Sequence, residues 1–167
     1  MTLDDRENQE VYDMLQEIPQ KESGFENSAY GLTHEQFTDW VRRRVEWASG
    51  VGLPEGYVPE TYCWFYVDGS IAGLGKIRHH LTESLRLHGG NIGYALRPSA
   101  RGKGLGKIWL SLLMDQARKF GIEDLLVTCQ PGNIASRNVI EANGGVFESG
   151  DEETNRYWIR RSNGNPN

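Results

Sequence analysis

"RPSARGKGLGKIWLSLLMDQARKFG", residues 97–121, runs from a cationic, glycine-rich turn into an apolar-periodic segment. Its first eleven residues hold three glycines and four cations. An apolar series then recurs at helical spacing: Leu105, Ile108, Trp109, Leu112, Leu113, Ala117 and Phe120. Gly121 is a natural C-terminal stop. A glycine-rich turn that opens a helix lets the backbone approach a ligand closely, and cations around it point to an anionic ligand.

Upstream, "GGNIGYALRP" reads as a strand with Ile92, Tyr94 and Leu96 on one face, ended by Pro98. Gly93 within it marks a bulge or a close backbone approach. Downstream, "DLLVTC" is the nearly continuous apolar run of a buried strand. Residues 91–129 therefore read as strand, glycine loop, helix, strand, a βαβ unit with a right-handed crossover. Before it, "TYCWFYVDGSIAGLGKIRHHL" is a hairpin turning at Asp68 and Gly69. After it, "NIASRNVIEANGG" is a short helix closed by Gly144 and Gly145, followed by two strands, "GVFES" and "TNRYWIRR".

The N-terminal third is helical. Val11, Met14, Leu15 and Ile18 form one face stopped by Pro19. "KESGFENSAYG" reads as a loop. Thr33 and Gln36 make a capping-box pattern for a second helix with Phe37, Trp40, Val41, Val45 and Ala48 on its apolar face. Arg42, Arg43 and Arg44 in that helix read as a solvated face.

The 167 residues suit one domain, 38% hydrophobic and 25% charged. The expected division is a single domain over 1–162, with N-terminal helices and acceptor-side loops in 1–58, a core in 60–160, and a tail at 163–167. The net charge is −5, and residues 1–30 carry eight acids against two cations. That balance argues against general nucleic-acid binding and leaves room for a local anion pocket. No apolar run is long enough to span a bilayer, and the acidic start does not read as a signal peptide. Cys63 and Cys129 offer neither a disulfide framework nor a metal-ligand spacing, so a reducing cytoplasm is expected and no metal.

The glycine loop is neither a P-loop nor a dinucleotide fingerprint: Ile108 follows Lys107, and the glycines stand at 102, 104 and 106. It fits Arg-x-x-Gly-x-Gly through Arg101, Gly104 and Gly106. Between a proline-ended strand and an amphipathic helix, this resembles the acyl-CoA-binding motif of the GNAT N-acetyltransferase superfamily. The resemblance implies a mixed, mostly antiparallel α+β sheet of six to seven strands, with one parallel step and helices on both faces. It implies acetyl-CoA as co-substrate, its pyrophosphate on Arg101, Gly102, Lys103, Gly104, Leu105, Gly106 and Lys107. The pantetheine arm would run along backbone groups of Tyr94, Ala95 and Leu96 and meet Asn133 and Ser136, which match the family's Asn-x-x-Ala/Ser. One position departs: Ile140 stands where many members carry the tyrosine that protonates the departing thiolate.

The implied reaction is acetyl transfer to an amine of a small molecule or peptide, by direct attack, in a protein acting as monomer or homodimer without nucleic acid or membrane. An amine acceptor must lose a proton before attacking, so a base is wanted. His79 and His80 lie at the end of the hairpin strand before the cofactor strand. His79 shares its side with Ile71 and Ile77, His80 with Lys76 and Arg78, and His79 is the preferred candidate, with Glu83 on the following loop as a carboxylate alternative. His88 reads as a loop residue, and Cys129 as a buried structural cysteine. A non-catalytic CoA-binding sensor of the same fold is the alternative function.

Overall fold

Asp68 and Gly69 turn the chain with φ of 49° and 75°, the paired positive values of a hairpin turn of the primed type. They join β3 (Glu60–Val67) to β4 (Ser70–Arg78). In the computed structural model, which describes residues 5–160, this hairpin starts a six-stranded sheet. The strand order is β3-β4-β5-β6-β8-β7, with β5 (Ile92–Leu96), β6 (Leu125–Cys129), β7 (Val146–Gly150) and β8 (Asn155–Ile159). Neighbours are antiparallel except β5 and β6, which are parallel. The helix crossing between them is α4 (Leu105–Lys119). The architecture is α+β, as the sequence implies. The tail at 163–167 and the boundary at 162 lie outside the described residues.

Two cores sit on opposite faces of the sheet. On one, α4 contributes Trp109, Leu110, Leu113, Met114 and Ala117 and α5 (Ile134–Ala142) contributes Ile140, against Ile77, Ile92 and Val127. On the other, Val11, Met14 and Leu15 of α1 (Asp5–Glu17), Ile18 just after it, and Phe37 and Trp40 of α2 (His34–Ala48) cover Ile71 and Leu74. The capping box at Thr33 and Gln36 starts α2. Gly75 is required where α4 crosses, because an added Cβ would lie 2.4 Å from a Leu113 methyl.

Several local expectations are corrected. The buried stripe of α4 is rotated about one residue from the expected one: Ile108, Leu112 and Phe120 are exposed, and Leu110 and Met114 are buried. Val45 is likewise exposed. The segment expected to be a loop after Pro19 contains a small ladder, β1 (Lys21–Glu22) with β2 (Phe25–Glu26). Glu83 stands on a one-turn helix, α3 (Glu83–Leu87), rather than in a loop. Among the described residues no helix is long and apolar enough to cross a membrane.

Candidate active site

The site begins where the parallel pair parts. β5 and β6 are in register only at Ile92 and Val127, so beyond that point the β5 backbone at Tyr94, Ala95 and Leu96 borders a slot. At one end of this slot α4 starts at Gly104, which takes φ of 71° and makes no side-chain cap. The first N–H groups of α4 have no intrahelical acceptor, so they and the helix dipole face outward as an anion cradle. A Cβ on Gly102 or Gly104 would meet nothing within 4 Å, so space there is open. Gly106 is held more closely, its Cβ position 3.1 Å from Val139.

A cleft of about 1490 Å³ runs from this cradle through the slot to the face covered by α1 and α2. Arg101, Gly102, Gly104, Leu105, Gly106, Tyr94, Ala95, Leu96, Asn133 and Ser136 all line it. Lys103 and Lys107 are exposed beside it. Arg101 is engaged by Glu22, its two terminal nitrogens donating to both carboxylate oxygens at 2.9 and 2.5 Å, while its Nε donates to the Leu96 carbonyl. That hydrogen bond, with the charge behind it, holds the Glu22 carboxyl below its ordinary range. Asn133 is the N-cap of α5, its Oδ1 accepting from the Ser136 N–H at 3.1 Å.

Across the slot the Tyr94 hydroxyl and the Ser136 hydroxyl lie 3.0 Å apart. Burial pushes the Tyr94 phenol up to about 12. Ile140 is fully buried in the core, so no side chain there reaches the slot. Cys129, at the end of β6, lines the cleft, and burial raises its thiol.

The acceptor-side expectations fare differently. A bulge opposite Phe65 and Tyr66 breaks the alternation of β4, putting Ile71 on the α1/α2 face and Ile77 on the α4 face. His79 follows Ile77. Its ring stacks on Phe120 at 4.4 Å and its Nε2 lies 2.8 Å from the Thr61 hydroxyl. Burial, then the neighbouring His80, lowers its pKa. His79 and His80 line a separate depression with Trp158, and neither they nor Glu83 line the cleft.

The cleft holds other groups in their place. His88 lines it, its Nδ1 2.9 Å from the Thr154 hydroxyl. Lys76, Arg78, Arg44 and Glu60 line its α1/α2 side. The alternation of "GKIRH" carried the signal for Lys76 and Arg78, since both lie opposite Ile77. Nothing local marked Arg44, which is sandwiched by aromatic rings instead of solvated. Among the described residues no cluster of ligating side chains could hold a metal.

A parallel pair splayed over a glycine-started helix defines an α+β acyltransferase fold, and known proteins agree. The family model of the acetyltransferase (GNAT) domain matches residues 6–146, and the chain belongs to that family. No curated protein matches the sequence. Among solved structures it is similar to RimL, a ribosomal L7/L12 alpha-N-protein acetyltransferase in complex with coenzyme A. That match has 16% identity and a TM-score of 0.69, covering 95% of this chain and 91% of RimL. It is also similar to yncA, a putative acetyltransferase from Salmonella typhimurium solved with acetyl-CoA. There the identity is 14% and the TM-score 0.64, with 100% and 96% covered. PseH, an N-acetyltransferase of Campylobacter jejuni in complex with acetyl coenzyme A, matches at 14% identity and a TM-score of 0.56 over 77% and 79%.

Proposed function

We propose that the protein transfers the acetyl group of acetyl-CoA to an amine by direct attack within the cleft. The observation that carries this is the continuous path from the uncapped glycine start of α4, along the open edge of β5, to the charged face beyond the slot. Backbone N–H groups of residues 102–107 bind the pyrophosphate. Lys103 and Lys107 add charge at the rim, and Arg101 contributes on exchanging Glu22 for phosphate. Tyr94, Ala95 and Leu96 pair through their backbone with the pantetheine amides, beside Asn133 and Ser136.

The acceptor nitrogen attacks the thioester carbonyl, a backbone N–H near Ala95 and Leu96 stabilises the developing oxyanion, and the carbon–sulfur bond breaks. The amine proton leaves towards His88, the histidine that lines the cleft. Three cations at Arg44, Lys76 and Arg78 favour the neutral amine over the ammonium by repulsion. The Tyr94 phenol returns a proton to the thiolate, the role left open at Ile140. The family's solved members with CoA or acetyl-CoA support the choice of co-substrate. Deprotonation of the amine and protonation of the thiolate aside, catalysis is chiefly positioning.

Acetyl-CoA at one hundred times its dissociation constant should stabilise the fold by about 2.7 kcal/mol, read as a rise in Tm. Gly104→Val, with a β-branched side chain at φ of 71°, should abolish the rise. A folded Gly104→Val protein that binds normally rejects the cradle. In thiol-release assays, His88→Ala should lower kcat/KM about 10²–10⁴-fold, as is usual for acid–base groups. His79→Ala should leave kcat/KM near the wild-type value; the reverse result returns the base to His79. A thermal shift without thiol release from any amine favours the non-catalytic sensor.

A further inference from the structure

The acceptor end of the cleft carries more buried positive than negative charge. Arg44, Arg78 and Lys76 converge there from α2 and β4, with Glu60 of β3 between the two arginines. Glu60 and Arg78 are cross-strand partners, as are Tyr62 and Lys76, so pleating puts all four on one face. Glu60 reaches Arg78 at 3.5 Å and Arg44 at 3.9 Å, and its side chain is only 13% exposed. One carboxylate thus serves two guanidinium groups and also acts through its charge on the Lys76 ammonium.

Arg78 pairs with Glu60 and donates to the Gly89 and Gly90 carbonyls, whereas Arg44 and Lys76 are only partly satisfied. Arg44 places its guanidinium carbon over the Trp47 ring, 4.2 Å from the ring centroid, and near the Trp40 and Tyr62 rings. Its buried Nε has no hydrogen-bond partner among the described residues. Lys76, 9% exposed, donates to the Glu26 carbonyl at 2.7 Å and sits over Phe25 and Tyr62. An ammonium has three donors to place. Burial pushes its pKa down to about 8, the direction expected of a cation in want of a counter-charge. The other acids near this end do not balance it. Glu26 points outward with its side chain 67% exposed, near Lys21, and Glu152 and Glu153 line the cleft from an exposed rim.

Buried charge without a partner is costly, and a ligand that supplies the missing anion recovers that cost. We infer that the acceptor is a small amine that also carries a carboxylate, bound by Lys76 and Arg44 with Arg78 behind them. This rests on the acetyl-transfer reading above and names the substrate class for it. The alignment is chemically consistent: the same cations that hold the carboxylate disfavour the ammonium form of the nucleophile at the other end of the molecule. A polycationic amine would meet repulsion from three sides.

The test uses matched amines with the wild-type protein and acetyl-CoA, read by thiol release. Glycine, β-alanine and γ-aminobutyrate are compared with their carboxamides, and with taurine, phosphoethanolamine and spermidine. At least one carboxylate should exceed its amide tenfold or more in kcat/KM, and Lys76→Met should reduce that preference by raising KM. Equal turnover of acid and amide, preference for spermidine, preference for the sulfonate or phosphate, or no turnover of any carboxylate each overturns the inference. The acetyl-CoA thermal shift is recorded in parallel. Its absence defeats the acetyl-transfer reading itself, whereas its presence without carboxylate preference defeats this inference alone.

Discussion

Lys76 is the residue where structure and chemistry meet most directly. Its ammonium is buried against Phe25 and Tyr62, and its pKa falls from 10.5 to about 8. A lysine whose folded pKa is lowered binds fewer protons in the native than in the unfolded state between those two values. Stability therefore rises with pH across about 8 to 10.5, and the full penalty of the buried charge is felt below 8. Lys76→Met lacks this dependence. The stability of wild type relative to the variant should move in favour of wild type between pH 8 and 10, measured by denaturant unfolding; an unchanged difference refutes the buried charge. Tyr94 makes a second residue-scale prediction. Its phenol, raised to about 12, stays protonated at working pH and keeps the proton that the proposed mechanism passes to the thiolate. Tyr94→Phe keeps the ring and the backbone edge. It should lower kcat with little change in acetyl-CoA affinity, and an unaltered kcat leaves the thiolate to depart unprotonated.

At the scale of elements, the small β1–β2 ladder controls the glycine loop from outside. Glu22 of β1 engages Arg101 through two parallel hydrogen bonds, with both side chains more than a third exposed. An exposed pair of this kind contributes about 0–1 kcal/mol, little enough for a phosphate to displace it. Glu22→Gln weakens the tie. It should raise acetyl-CoA affinity a few-fold, measured by calorimetry, while the melting temperature of the free protein hardly moves. A fall in affinity would mean that Glu22 orders the loop for binding. The ladder itself was hidden in "KESGFENSAYG", because two-residue strands have no periodicity to read. By contrast α4 announced itself through its glycines and apolar spacing. Only its rotation was misjudged, since Ile108 and Leu112 are apolar yet exposed.

For the molecule as a whole, side-chain ties lock the α1/α2 layer to the sheet. Asn27 donates to the Leu15 and Ile18 carbonyls at the end of α1, 2.8 Å each. Glu17 accepts from Arg97 at 2.6 Å and from the Ser99 N–H at 2.9 Å, joining α1 to the end of β5. Those ties fix α1 against the following loop and the end of β5. The βαβ step, the hairpin at Asp68 and Gly69, the capping of α2 and the glycine start of α4 are legible in the chain alone. Each of these is written within a few neighbouring residues as periodicity, a positive-φ turn or a cap. The charged end of the cleft forms only on folding. Arg44, Glu60, Lys76 and His88 lie on four separate segments, and one bulge in the β3–β4 pair flips which residues share a face with the helices above. Sequence spacing carries no record of that convergence, because charge brought together across a sheet depends on strand pairing and on which helix layer covers the face.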